Sequence, residues 1–225
     1  MPKALMYHSI QNPPKQTPFK SLFIKKAEFK RQLLALKLIG YKFTTLSKLE
    51  DKSVILTFDD AYKNFIENAF PVLQKFNAPA YVFVPALLVG KYNKWDVDKV
   101  KVNLPLMDWS DLSFLIKNGI KIGSHTLTHP FLTKIPFEEA KKEIEYSKKM
   151  LEDKLGVEVD TFCYPYGDYN EKIVKLVKDA GYKYAFTTKE GKFNGFENPY
   201  QINRIFVEGN KLISLPDFLR KVLVY

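Results

Sequence analysis

Short runs of apolar, β-branched and aromatic residues alternate along this chain with longer segments whose apolar positions recur every three or four residues. The runs 4–7, 54–58, 79–84, 120–123, 161–164, 182–187 and 201–207 read as buried strands, seven in all. Between them, Phe29, Leu33, Leu36 and Ile39 predict a helix over 25–39 stopped by Gly40. Phe65, Ala69, Val72, Leu73 and Phe76 predict a second over 62–76, which Pro71 should bend or divide. The longest helical pattern, 137–155, places Ala140, Ile144, Ser147, Leu151 and Leu155 on one stripe, with a solvated Glu/Lys face and Gly156 beyond its end. Shorter helices are expected at 111–118, at 170–180 behind an Asn170 cap, and at 216–223. Strands alternating with helices predict an α/β fold, a distorted (β/α)7-type barrel of parallel strands. No linker-like stretch interrupts residues 1–225, so one domain is expected. The connection 86–109 is long and polar, which makes it a lid or a substrate wall.

Composition supports a packed protein, with 46% hydrophobic and 15% aromatic residues. The net charge of +10 comes almost wholly from lysine. Arginine occurs only at 31, 204 and 220, with no basic block or nucleic-acid motif, so no nucleic-acid partner is expected. A lone cysteine, Cys163, excludes an intrachain disulfide and a cysteine-based zinc cluster. No apolar run approaches a membrane span, and the first strand starts close to Met1. As written the chain is expected to be cytoplasmic; a longer natural N-terminus would make it extracytoplasmic.

In βα barrels the loops after the strands share one face, where chemistry collects. His8, the pair Asp59 and Asp60, the pair His125 and His129, and Tyr166 each follow a predicted strand. The plain reading of Asp59-Asp60 is a helix N-cap, and of the histidine pair a surface feature. Together they suggest more, because two histidines four apart on a helical turn and a carboxylate from another loop can share one ion while leaving positions open. Asp60 is then the ligand beside His125 and His129, and Asp59 is free to act as a base.

The segments Thr57-Phe58-Asp59-Asp60, Ser124-His125-Thr126-Leu127-Thr128-His129-Pro130 and Tyr164-Pro165-Tyr166-Gly167, in that order and spacing, resemble the first three motifs of the polysaccharide deacetylases, carbohydrate esterase family 4. Leu5-Met6-Tyr7-His8 and Ala180-Gly181-Tyr182 are also similar to that family. The resemblance implies a distorted barrel that removes acetyl groups from N-acetylated, sometimes O-acetylated, sugars. It implies a divalent metal, usually zinc with cobalt or nickel as alternatives, and an acetylated glycan or amino sugar as partner. It assigns Asp59 as base and Asp60, His125 and His129 as ligands. At the Pro165-Tyr166 turn it implies that the backbone N–H of Tyr166 helps hold the oxyanion, while the Tyr166 ring either lines the sugar pocket or is simply packed.

Two features depart from the family pattern. Many members carry an arginine where Cys163 stands, orienting the base, and a late histidine as general acid; here no histidine follows His129. Arg204 is the replacement to test, with pairing elsewhere or exposure to solvent as the alternative. His8 is the only histidine left for the acid, unless it orients a ligand and Asp59 or water supplies the proton. The expectation is a carbohydrate deacetylase. The alternatives are an O-acetyl esterase or other small-amide hydrolase on this scaffold, and a catalytically silent glycan-binding protein.

Overall fold

The computed structural model describes residues 1–209 and 214–225. Its centre is a curled sheet of parallel strands: β1 (Lys3–Tyr7), β2 (Lys42–Phe43), β3 (Ser53–Phe58), β4 (Ala80–Val84), β5 (Lys121–Ser124), β6 (Thr161–Cys163), β7 (Tyr184–Phe186) and β8 (Ile205–Phe206). Neighbours run β7-β6-β5-β4-β3-β1-β8, with β2 paired to the start of β3. A parallel bridge from Phe186 to Ile202, just ahead of β8, draws the two edges together into the distorted barrel. Strand β2 goes unread in the hydrophobic pattern, because two residues are too few to show a period.

The register sets up the site. Tyr7 pairs with Phe58, Phe58 with Val82, Val84 with Ser124, and Cys163 with Phe186, so the strands end at one level. The ladder then runs one hydrogen bond further: Asp59 N–H donates to Tyr7 O (3.0 Å) and His125 N–H to Val84 O (2.9 Å). Asp59 and His125, the residues that follow β3 and β5, are therefore held by the backbone of β1 and β4.

Helices α1 (Lys26–Leu38), α2 (Phe70–Phe76), α3 (Val97–Val100), α4 (Trp109–Lys117), α5 (Phe137–Leu155), α6 (Glu171–Asp179) and α7 (Leu215–Val224) complete the fold. Asn170 caps α6 through Ile173 N–H (3.1 Å), as the sequence predicts. The predicted helix over 62–76 is divided where Pro71 requires: a π-helical turn (Phe65–Ala69) leads into α2, with Pro71 in its first turn. The chain before it is not helical, since Asp60 and Ala61 have φ of 72° and 54°. The acid pair is therefore not an N-cap. The connection 86–109 is a wall of two arms: Tyr92 and Pro105 bridge antiparallel, Tyr62 bridges to Leu106, and Leu88, Val100, Leu104 and Leu106 pack on Tyr62 and Phe23. None of the described helices is long and apolar enough to cross a membrane.

Close packing under the site has one sharp dependence. A methyl group on Gly123 would lie inside contact distance of the Phe83 ring and 2.6 Å from Thr161 Oγ1. Gly123→Ala is expected to destabilise the protein by about 1–3 kcal/mol, read by chemical denaturation, as overpacking a close-fitted core does.

Candidate active site

Arg204, immediately before β8, is wholly buried, as is Asp59 apart from 3% of its surface. An isolated guanidinium in an apolar interior must have every N–H bonded. Nη1 donates to Asp59 Oδ1 (2.7 Å) and Thr57 Oγ1 (3.0 Å), Nη2 to Asp59 Oδ2 (2.8 Å) and Cys163 Sγ (3.1 Å), and Nε to Thr187 O (2.8 Å). All five donors are used. The rings of Phe83 and Phe186 lie 5.9 and 5.8 Å from the guanidinium. Burial pushes the Asp59 carboxyl upward, but the charge and hydrogen bonds of Arg204 outweigh it and hold Asp59 below the usual carboxylate range. Burial keeps the Cys163 thiol protonated, with Arg204 opposing and Asp59 reinforcing.

Asp60 faces the other way. Its Oδ1 lies 3.5 Å from His125 Nε2 and 3.3 Å from His129 Nε2, and the two nitrogens are 3.1 Å apart. His125 Nδ1 sits 2.7 Å from the carbonyl oxygen of Cys163, which requires the proton on Nδ1 and leaves the Nε2 lone pair facing Asp60. Burial, then the neighbouring His129, lowers His125 to about 4, so it is neutral. Burial raises the Asp60 carboxyl, but the adjacent His129, with His8 and His125, prevails and holds it low.

These three groups fit a divalent ion. Two ligands bonded at about 2.1 Å to one ion are about 3.0–3.4 Å apart for right-angled to tetrahedral placement, close to the spacing here. Buried side-chain polar atoms without a partner also collect at this point: His8 Nδ1, Asp60 Oδ1, Tyr62 Oη and His129 Nδ1, with only Thr161 Oγ1 elsewhere among the described residues. A second set, Asp59, His125 and Cys163, is close enough in space. It does not fit, because Arg204 already occupies both Asp59 oxygens and the sulfur.

The histidines do not meet on a helical turn. Thr126 and His129 both have φ of 67°, and the intervening loop is irregular. It is held by His129 N–H donating to Thr126 Oγ1 (2.9 Å) and by Glu143 of α5. Glu143 accepts from Leu127 N–H (2.8 Å), Thr128 N–H (2.9 Å) and the Thr128 hydroxyl (2.6 Å). Sequence reading assigns Glu143 to the solvated face; its only signal is its place beside Ile144, at the margin of the apolar stripe.

The remaining expected residues also reach this face. Tyr166, at φ 58°, sets its ring edge-on to His129 (4.5 Å) and stacks on Phe131 (3.9 Å). Its N–H makes no hydrogen bond among the described residues, and Pro165 before it is buried. His8 is half-buried, its ring edge against Phe206 (5.7 Å), and its charge is felt at both Asp59 and Asp60. Trp95 of the 86–109 wall, which the motifs do not single out, stacks on His129 (4.7 Å).

The polysaccharide deacetylase family model matches residues 47–185, from before the acid pair to beyond the Pro165-Tyr166 turn. This chain belongs to the polysaccharide deacetylase family. The deacetylase is 29% identical over 206 residues to a poly-beta-1,6-N-acetyl-D-glucosamine N-deacetylase of Staphylococcus aureus (strain MRSA252), covering 84% of this chain and 69% of that one. Among solved structures it is similar to Streptococcus pyogenes deacetylase PplD in complex with acetate (TM-score 0.82, 26% identity, 98% of this chain and 97% of that). It is also similar to a polysaccharide deacetylase from Bacillus cereus (TM-score 0.81, 29% identity, 98% and 68%). The protein is thus a carbohydrate deacetylase of a metal-dependent family, on the barrel that the sequence predicts, and the silent alternative is set aside.

The hold of Glu143 on the histidine loop carries a prediction. Glu143→Gln removes the charge that fixes the loop between the histidines, and should weaken divalent-metal affinity about ten- to a hundredfold, as loss of an orienting partner does. Competition against a chromophoric chelator measures it.

Proposed function

We propose that this deacetylase removes acetyl groups from the amino groups of an N-acetylated glucosamine polymer, with zinc as its ion. The observation that carries the reading is the division of two adjacent carboxylates: Asp59 is gripped once at each oxygen by Arg204, which leaves it a lone pair for a proton, while Asp60 Oδ1 has no partner among the described residues and faces two histidine nitrogens. The named substrate of the Staphylococcus aureus relative and the acetate held by PplD supply the substrate class.

Asp60, His125 and His129 would hold the ion. When bound there it polarises a carbonyl oxygen and makes water more acidic near neutral pH. Asp59, kept ionised and fixed in direction by Arg204, takes the proton from the attacking water. The N–H of Tyr166, unpaired among the described residues, is available to the oxyanion that forms as the acetyl carbon becomes tetrahedral, where a well-placed donor contributes about 3–4 kcal/mol. His8, on the same face and near both carboxylates, gives a proton to the departing amine, so that acetate and a free amino sugar leave.

Acetate release from β-1,6- and β-1,4-linked N-acetylglucosamine oligomers, with zinc restored, tests the reading; cleavage of acetyl esters alone would contradict it. Arg204→Lys keeps the charge but loses the two-pronged grip, and is expected to lower kcat about a hundredfold or more with metal content intact. His8→Ala is expected to lose the basic limb of the pH–rate profile, the limb governed by the group that must be protonated. A profile keeping both wild-type limbs would exclude the acid role.

A further inference from the structure

Asp96 stands where α3 begins, a position at which aspartate ordinarily caps the helix with its side chain. It does not do so here. Its Oδ1 instead accepts from Asn93 Nδ2 (2.7 Å), and its Oδ2 makes no hydrogen bond among the described residues. Asn93 is itself fully buried and tied to the wall, accepting from Leu104 N–H (2.6 Å) and donating to Val102 O (3.1 Å). The carboxylate is therefore held on one side and open on the other.

Asp96 borders the site. Trp95, the preceding residue, stacks on His129 (4.7 Å) and, more loosely, on Tyr62 (6.5 Å), which fixes the direction of the chain at this point. Asp96 is close enough to interact electrostatically with Asp60 and His129, and, after burial, it helps raise the hydroxyls of Tyr62 and Tyr166. Lys99, in the same short helix, places its ammonium 5.7 and 5.6 Å from the stacked rings of Tyr166 and Phe131. Nothing in the reaction as described uses this carboxylate.

We propose that Asp96 determines specificity for the sugar, its free oxygen accepting hydrogen bonds from hydroxyls of the ring whose acetamide lies at the Asp59–Asp60 centre. The inference rests on the proposed function. An acetyl ester with no sugar offers Asp96 nothing to recognise. A sugar ring offers hydroxyl donors, and bonds from hydroxyl to carboxylate are among the stronger neutral-to-charged contacts. A site built to accept such donors discriminates strongly against a substrate without them.

The test compares wild type, Asp96→Asn and Asp96→Ala, all loaded with zinc, on an N-acetylglucosamine oligomer and on 4-nitrophenyl acetate. Asp96→Asn keeps an acceptor for Asn93 and turns the free oxygen into a donor. Both variants are expected to raise KM for the oligomer about tenfold or more, with kcat little changed, so that the preference for oligomer over ester falls by the same factor. Metal content should stay at the wild-type value in both variants, and Tm in Asp96→Asn, which keeps the Asn93 contact. An unchanged preference in a stable variant overturns the inference, as does an equal loss on both substrates, which would place Asp96 in the chemistry or the metal site. Wild-type protein that cleaves the ester but releases no acetate from any N-acetylated oligomer overturns the proposed function instead.

Discussion

A buried guanidinium gripping a buried carboxylate is the constraint on which the rest of this site depends. Neither charge is tolerable alone in such an interior, and removing one partner of a pair like this typically costs about 3–5 kcal/mol. Arg204 avoids that cost by satisfying five acceptors drawn from three strand ends, Asp59 and Thr57 at β3, Cys163 at β6 and Thr187 after β7, while its own backbone enters β8. One side chain thus ties together the strands that form the catalytic face. The small thiol of Cys163 leaves room for the fork, so the departure from the family pattern at 163 and the arginine at 204 belong to one arrangement.

The pair also explains how consecutive aspartates come to have different work. With both Asp59 oxygens taken, only the oxygens of Asp60 are free to meet the histidines. Asp60 turns that way through a left-handed backbone, and Thr126, His129 and Tyr166 share the same unusual conformation around the centre. Backbone strain of this kind, about 1–3 kcal/mol for each such residue, is kept where the surroundings over-determine it. Here those surroundings are Glu143, the Cys163 carbonyl and Trp95.

Much of this was legible beforehand. The strands and their ends follow from short apolar runs that stop at polar residues, so the fold and the shared face of His8, Asp59, Asp60, His125, His129 and Tyr166 could be read directly. Arg204 stood out because arginine is scarce in a lysine-rich chain. What could not be read depends on geometry rather than pattern. The histidine spacing suggested a helical turn, whereas the left-handed loop that joins the two has no sequence signal. Glu143 resembles any glutamate of a charged helix until the loop above it is placed. Trp95 and Asp96 lie in a polar connection without periodicity, and only the fold shows that it walls the Asp60, His125 and His129 cluster.

The most direct test of the account is a double-mutant cycle in turnover between Asp59→Asn and Arg204→Met, with metal content followed in each protein. If Arg204 serves the reaction only by holding Asp59, its loss should cost nothing further once Asp59 is gone, and the double variant should turn over as slowly as Asp59→Asn alone. Two losses that simply multiply would show that the residues act independently, and would contradict the arrangement described.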